Sequence, residues 1–211
     1  MPTLRDGAGP LPASLSRQSN AVAPAAVSIA GAPAKGTRSA RIAIIEYADF
    51  ECPYCAVFFR ETLPTLDREY VKTGKVLLVF KHRPIPSIHP NAVKAAAGAE
   101  CAGEQGSFWP MHDLLFSDQR NFSTEGLLAR VRRLALDSVS FGECLELGRA
   151  EQRVDGDMAE ATALRITGTP TFLIGTIDRR TNVVQVRERM EGTQPMSVLR
   201  LVLDRQLVDV K

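Results

Sequence analysis

The chain has 211 residues, and 26 basic against 24 acidic side chains give a formal net charge of +2. Hydrophobic residues make up 45% and charged residues 24%, a composition that excludes collagen-like, fully disordered and coiled-coil chains. The sequence has no basic stripe of the kind that marks a nucleic-acid-binding protein. No apolar run reaches the roughly 18–20 residues that cross a bilayer. The four cysteines leave a redox pair, a metal site or a structural bridge open.

Residues 1–25 are rich in proline, alanine, serine and glycine and show no hydrophobic periodicity. We expect a disordered tail or linker there, because too little apolar surface is available to offset the entropy of ordering. The basic start and apolar segment of a secretory signal are absent from this chain. Either the protein stays inside the cell, or a signal has been removed.

The first predicted strand, at residues 41–47, is a β-branched run typical of a buried strand, and it leads into Cys52-Pro-Tyr-Cys55. A helix is predicted from residue 53 to about residue 72, with a proline in its first turn. Pro64 should kink or split this helix. A second buried strand is predicted at residues 76–81.

The pattern then changes to helices until about residue 165. Five are predicted, at residues 92–102, 108–116, 123–134, 141–147 and 154–165. Strand character returns at residues 169–174 and 182–190, which a hairpin loop connects. A final amphipathic helix covers residues 195–207. This order predicts an α/β fold with a helical insertion.

Cys52 and Cys55 carry the predicted chemistry, because two cysteines at this spacing can close a small disulfide ring and only the first needs to be exposed. Free backbone N–H groups and the helix dipole stabilise a thiolate at a helix start. In known Cys-x-x-Cys pairs the pKa falls from about 8.5 to about 3.5–7, which makes the thiolate reactive and a good leaving group. A zinc site would need a second pair of ligands at close spacing. A zinc site and a chance occurrence of the Cys-x-x-Cys spacing in an ordinary core remain the alternatives to a redox pair.

Thr169-Pro170 follows Gly168 and enters a predicted strand, which suits a cis-proline turn. Such a turn would leave the backbone of residue 169 free beside the sulfurs, where an extended peptide substrate can form hydrogen bonds. Only about 5–6% of X–Pro bonds are cis, so the dipeptide is informative only together with the cysteine pair.

Four motifs along the chain occur in a characteristic order: Ile45-Glu-Tyr-Ala-Asp-Phe-Glu-Cys-Pro-Tyr-Cys55, His89-Pro-Asn-Ala-Val93, Ala99-Glu-Cys-Ala-Gly-Glu-Gln-Gly-Ser-Phe-Trp109 and Gly168-Thr-Pro-Thr-Phe172. With them, the chain resembles the DsbA family of bacterial thiol–disulfide oxidoreductases over about residues 26–208. The resemblance implies a thioredoxin-like α/β fold, with a central mixed β-sheet flanked by helices. It divides the chain into a thioredoxin-like domain, residues 26–90 and 166–211, and an inserted helical domain, residues 91–165.

The resemblance also implies a role for each matching residue. Cys52 would be the nucleophile and Cys55 the buried resolving cysteine, and Glu46 would be the buried acid that relays protons to Cys55. Pro170 would be the cis-proline, and Thr169 would contact both the sulfurs and the substrate.

The residues between the two cysteines, Pro53 and Tyr54, are expected to contact the substrate as well. For Glu46 the alternative is an edge position that faces solvent, and Lys81 is a candidate partner for its carboxylate. The best-known strongly oxidising member of the family has histidine where this chain has Tyr54, so the disulfide here is expected to be less oxidising. Thr169 is shared with disulfide isomerases, but residues 1–25 are too short for their dimerisation domain, which favours an oxidase.

Cys101 and Cys144 fall on two different predicted helices. We expect them to form a structural disulfide in an oxidising compartment, worth about 4 kcal/mol on a chain-entropy argument. The alternative is a pair of buried free thiols.

Taken with the resemblance, these features predict a periplasmic or otherwise extracytoplasmic dithiol oxidase that acts on cysteine-containing proteins and is reoxidised by a membrane quinone-linked partner. We expect a monomer that does not span the membrane, binds no nucleic acid and needs no metal or organic cofactor. The alternatives are a disulfide isomerase or reductase, and a peptide-binding chaperone that uses Phe50, Tyr54 and Phe172. A third alternative is a cytosolic oxidoreductase with the same insertion, including glutathione-linked relatives. Those relatives usually lack the second cysteine, so Cys55 argues against this alternative.

Overall fold

A single mixed sheet organises the computed structural model, which describes residues 25–210; the predicted tail therefore lies outside the described residues except for Ala25. The strands within that range are β1 (Ala26–Ser28), β2 (Ala34–Lys35), β3 (Ile42–Ala48), β4 (Val76–His82), β5 (Thr171–Asp178) and β6 (Val183–Glu191). Their order across the sheet is β1-β6-β5-β3-β4-β2. β3 and β4 run parallel, and the other neighbours are antiparallel.

The sequence pattern does not predict β1 and β2. Each is only two or three residues long and forms a sheet edge, β1 against β6 and β2 against β4. Such strands are too short for an alternating pattern to be recognised. They form because distant strands offer them hydrogen-bonding partners.

The first helical stretch begins at Pro53 and ends at Val71. Its α-helical segments are α1 (Pro53–Val57) and α2 (Leu63–Leu66), and its π-helical segments are Phe58–Thr62 and Asp67–Val71. Pro64 has no N–H for an i→i−4 hydrogen bond. The predicted interruption is therefore present, as a change to wider turns on both sides of Pro64.

Five helices separate β4 from β5 in the part of the chain that the structure describes, and we call them the helical block. They are α3 (Ala92–Glu104), α4 (Phe108–Ser117), α5 (Thr124–Arg133), α6 (Ser138–Glu146) and α7 (Arg149–Ala163), and α8 (Met196–Asp209) follows β6. α6 begins three residues before its predicted start because the Asp137 side chain accepts hydrogen bonds from the amides of Val139 and Ser140. Cys101 of α3 and Cys144 of α6 are joined by a disulfide with an S–S distance of 2.09 Å.

β3 lies between β4 and β5, and its side chains are all buried. Because side chains alternate along a strand, Ile42 and Ile44 pack toward the first helical stretch and α8, whereas Ala43, Ile45 and Tyr47 pack on the other face. β5 runs antiparallel to β3, so the end of β3 meets the start of β5. This brings the segments that follow β3 and precede β5 to the same edge of the sheet.

The expected pairing of Lys81 with Glu46 is wrong. Tyr47, not Glu46, lies opposite Lys81 in the β3–β4 register, and neighbouring positions of a strand face opposite sides of the sheet. Lys81 Nζ instead lies 3.0 Å from an Asp157 oxygen and 2.9 Å from a Glu160 oxygen, both on α7.

Candidate active site

Cys52 caps the N-terminus of α1, with Pro53 in the first turn. Its backbone N–H donates to the carbonyl oxygen of Asp49 (3.0 Å), and its own carbonyl accepts from the amide of Ala56 (3.2 Å). The Cys52 thiol thus lies at the end of the helix where unpaired amide hydrogens are available.

The segment that precedes β5 packs against this thiol. The Thr169–Pro170 peptide bond is cis, and the Cys52 thiol donates to the carbonyl oxygen of Thr169 across 3.3 Å. The Thr169 hydroxyl oxygen is buried and has no hydrogen-bond partner. The loop after β6 holds both sides of the site, since Gly192 donates its N–H to the Pro170 carbonyl (2.8 Å) and Thr193 its hydroxyl to the Tyr54 carbonyl (2.8 Å).

The two cysteines differ little in exposure, contrary to expectation: Cys52 is 3% exposed and Cys55 0%. They differ in acidity instead. A hydrogen bond from the Cys55 thiol, assisted by the backbone amides of Cys55 and Tyr54, outweighs burial and lowers the pKa of Cys52 to about 6. Burial, followed by the hydrogen bond and charge of Cys52 and the charge of Glu46, holds the pKa of Cys55 well above its ordinary value.

Glu46 is 1% exposed on the central strand, so the alternative of an edge position facing solvent does not apply. Its Oε2 atom has no hydrogen-bond partner. Burial and then the charge of Cys52 raise the pKa of Glu46 from 4.5 to about 8. At neutral pH the site therefore combines a Cys52 thiolate, a Cys55 thiol and a protonated Glu46 carboxyl.

Asp49 and His89 hold the site together, although sequence reasoning assigned neither a role. The Asp49 carboxylate is fully buried and accepts hydrogen bonds from the amides of Glu51 (2.8 Å) and Ile85 (2.9 Å) and lies 2.7 Å from Nδ1 of His89. It thereby ties the loop between β4 and α3 to the turn that carries Cys52. Both residues lie within the motifs that define the resemblance, which is the signal that could have drawn attention to them.

Two of the three aromatic side chains expected near the site are buried and expose no surface to a peptide. Phe50 is 1% exposed and Phe172 is fully buried; Phe50 stacks on Phe80 with ring centroids 5.3 Å apart. Tyr54 is 65% exposed. The aromatic surface that a peptide-binding chaperone would use is thus reduced to one of the three residues.

Within residues 25–210, no group of three or more His, Cys, Asp or Glu side chains is arranged to hold a metal ion. Over the same residues, no helix is long and apolar enough to cross a membrane. The disulfide between Cys101 and Cys144 also occupies the sulfurs that a second zinc-binding pair would require.

A family model described as Thioredoxin matches residues 30–187. The chain belongs to the thioredoxin family. Among solved structures, this thioredoxin-family chain is similar to alpha-DsbA1 from Wolbachia pipientis, at 25% identity and a TM-score of 0.73 over 86% of this chain and 96% of that one. It is also similar to a thioredoxin-like oxidoreductase from Silicibacter pomeroyi, at 25% identity and a TM-score of 0.68 over 82% and 91% of the two chains.

These likenesses confirm the predicted thioredoxin-like fold and its DsbA-like form. Together with the cysteine pair, they also confirm the predicted enzyme class, a thiol–disulfide oxidoreductase. A curated relative, Na(+)/H(+) antiporter NhaA 3 from Salinispora tropica, is 40% identical over 140 residues, which is 66% of this chain. The chain spans about a fifth of that relative's length, 21%.

Proposed function

We propose that this DsbA-like protein oxidises pairs of cysteines in extracytoplasmic substrate proteins, with Cys52 as the nucleophilic and Cys55 as the resolving cysteine. The acidity difference between the two sulfurs carries this proposal: the pKa of Cys52 is lowered to about 6, and that of Cys55 is raised well above its ordinary value. In disulfide exchange the more acidic thiol is the better leaving group. Cys52 is therefore released readily in the last step, and its stabilised thiolate favours the reduced form of the enzyme.

In the first step a substrate thiolate attacks the Cys52 sulfur of the oxidised enzyme. The Cys52–Cys55 bond breaks, and a mixed disulfide forms between the substrate and Cys52. Cys55 leaves as a thiolate of high proton affinity, and Glu46 is the nearby acid that supplies its proton, since its own pKa is about 8. The role of Glu46 as a proton relay is thus part of the proposal.

In the second step another substrate thiolate attacks the substrate sulfur of the mixed disulfide. The substrate loses two electrons and gains a disulfide, and Cys52 departs as a thiolate. The Thr169 hydroxyl is buried and has no hydrogen-bond partner, and it belongs to the residue whose carbonyl oxygen contacts the Cys52 thiol. It is therefore the group that we propose donates to the departing thiolate. We propose that the backbone of Thr169 and Pro170 and the side chains of Pro53 and Tyr54 contact the substrate peptide.

The cellular setting is proposed on the same basis. Disulfides persist in oxidising compartments, so the Cys101–Cys144 bond supports a periplasmic or otherwise extracytoplasmic location. From the likeness to DsbA proteins we propose reoxidation by a membrane quinone-linked oxidase, a monomeric state, and an inserted helical domain at residues 91–165. The antiporter activity named for the Salinispora relative is not carried over, because the chain spans only 21% of it.

The test is oxidation of a reduced two-cysteine peptide by the oxidised protein. We expect the wild type to oxidise the peptide and both Cys52→Ser and Cys55→Ser to be inactive, because neither variant can hold the Cys52–Cys55 disulfide. With the disulfide form of the peptide instead, Cys55→Ser should form a mixed disulfide through Cys52 as one peptide thiol is released, and Cys52→Ser should not. The Cys101→Ala/Cys144→Ala variant is the matched control and should retain activity. Full activity in Cys52→Ser would overturn the proposal.

An isomerase is the second candidate, because Thr169 precedes the cis-proline, as in disulfide isomerases. Reshuffling of a peptide with a wrongly paired disulfide distinguishes the two functions. An oxidase forms disulfides faster than it rearranges them, and the reverse ranking would favour the isomerase.

A further inference from the structure

We propose that Gln119, in the loop between α4 and α5, is a positioning residue that fixes the turn carrying Cys52 to the helical block. The inference rests on the proposed function, since it gives Gln119 no chemistry of its own and acts through Cys52. It concerns the region where the helical block meets the candidate active site.

The side-chain amide of Gln119 bridges the two ends of this turn. Its Nε2 atom donates to the carbonyl oxygens of Phe50 (2.9 Å) and Cys52 (2.9 Å). A primary amide nitrogen carries two hydrogens, so it can serve both acceptors at once. Rotation of the Phe50–Cys52 segment would break both hydrogen bonds.

The same carbonyl of Cys52 accepts the first backbone hydrogen bond of α1, from Ala56. Gln119 is therefore attached at the point where the chain leaves the turn and enters the helix. The orientation of this peptide group decides whether the Cys52 sulfur faces the first-turn amides and Thr169. Gln119 thus acts on the geometry that stabilises the Cys52 thiolate.

Arg130 of α5 fixes the loop that carries Gln119. Its guanidinium group donates to four backbone carbonyls, and three of them flank Gln119 in sequence. The acceptors are Asp118 (2.7 Å), Arg120 (3.0 Å), Asn121 (3.0 Å) and Gly126 (3.0 Å). A guanidinium presents its donors in a rigid fork, so this loop has little freedom to move relative to α5.

A close backbone approach supports the same attachment. A Cβ atom at Gly126 would lie only 2.1 Å from the carbonyl oxygen of Asn121, so the loop packs directly on the first turn of α5 and only glycine fits there. The connection therefore runs from α5 through Arg130 and Gly126 to the loop, and through Gln119 to Cys52. Two independent contacts anchor the loop before Gln119 reaches the site.

The test variant is Gln119→Met, which keeps the length of the side chain and removes the donor. The pKa of Cys52 is measured from thiolate absorbance in the reduced protein, and the equilibrium with glutathione is measured at neutral pH. Losing neutral hydrogen bonds is expected to raise the titration midpoint by about 0.5–1 pH unit. The equilibrium should then move about three- to fivefold toward the oxidised enzyme, because less thiolate stabilises the reduced form.

Gln105→Met is the matched control. Gln105 is another half-buried loop glutamine of the helical block, and its amide bonds both backbone groups of Asp137 (3.0 and 2.9 Å). Its loss should lower thermal stability and leave the Cys52 midpoint at the wild-type value. A purely structural Gln119 would behave in the same way, so an unchanged midpoint in Gln119→Met would overturn the inference while leaving the proposed function intact.

Arg130→Met provides a second variant that does not touch the turn itself. It should raise the midpoint by less than Gln119→Met does, and the double variant should match Gln119→Met alone, because Arg130 acts through Gln119. If the double variant instead shifts the Cys52 midpoint by the sum of the two single-variant shifts, Arg130 does not act through Gln119. If the wild type itself fails to oxidise the two-cysteine peptide, the proposed function fails, whatever the Gln119 variants do.

Discussion

Replacing Glu46 with glutamine removes a buried ionisable group while nearly preserving its shape. The carboxyl is 1% exposed, its Oε2 atom has no hydrogen-bond partner, and its pKa is raised from 4.5 to about 8, chiefly by burial. Because the folded state holds the Glu46 proton more tightly than the unfolded state does, protonated Glu46 contributes to the free energy of unfolding, and this contribution is fully present below pH 4.5. It is lost as the pH rises through about 8.

The size of the effect follows from the same two values. Each pH unit between them lowers the free energy of unfolding by about 1.4 kcal/mol. The wild type should therefore lose about 3 kcal/mol by pH 7 and about 4–5 kcal/mol above pH 8, and Glu46→Gln should not. Stability of the variant relative to the wild type should thus increase steadily over this range.

Urea unfolding of both reduced proteins at several pH values measures this difference directly. The titration of groups that do not interact with Glu46 is common to the two proteins and cancels, whereas Cys52 and Cys55 are coupled to Glu46 and contribute to the difference. Glu61→Gln, at an exposed position of the first helical stretch, is the control and should follow the wild type at every pH. A difference between Glu46→Gln and the wild type that stays constant from pH 5 to pH 8 would refute the reasoning.

Three further variants test other parts of the structure. Cys55→Ala removes the thiol that hydrogen-bonds the Cys52 sulfur, so the pKa of Cys52 should rise above about 6, measured as the pH dependence of alkylation; an unchanged profile would contradict the assigned cause. Cys101→Ala/Cys144→Ala should lower the free energy of unfolding by about 4 kcal/mol without loss of peptide oxidation, and equal stability in chemical denaturation would show that the bridge contributes nothing. Lys81→Met leaves two carboxylates of α7 without their buried cation and should lower the free energy of unfolding in the same assay by about 3–5 kcal/mol. The control Lys94→Met, at an exposed position, should lower it by under about 0.5 kcal/mol.

Features set by neighbouring residues were predictable from the sequence. The cysteine spacing, the proline in the first turn and the apolar run of β3 are all local signals, and Cys52 lies at the helix start as they indicate. Motifs in a characteristic order then predicted the thioredoxin-like fold, which the family match confirms. Burial of Glu46 was implied by the resemblance alone, because the central place of β3 depends on its pairing with both β4 and β5.

Features set by pairing between distant segments were not predictable. The face that Lys81 occupies depends on the β3–β4 register, and a shift of one residue reverses it. Gln119 reaches Cys52 only because the helical block folds back on the sheet, and a lone glutamine in a loop carries no periodic signal. The near-equal burial of the two cysteines likewise depends on Thr169, far along the chain, which packs on the Cys52 sulfur.

The reduction potential of the Cys52–Cys55 pair, measured by equilibration with glutathione buffers, tests the proposed oxidase most directly. The lowered pKa of Cys52 stabilises the reduced form, so we expect a potential well above that of the glutathione couple. A potential near that of thioredoxin, about −270 mV, would contradict the assignment as an oxidase and indicate a reductase.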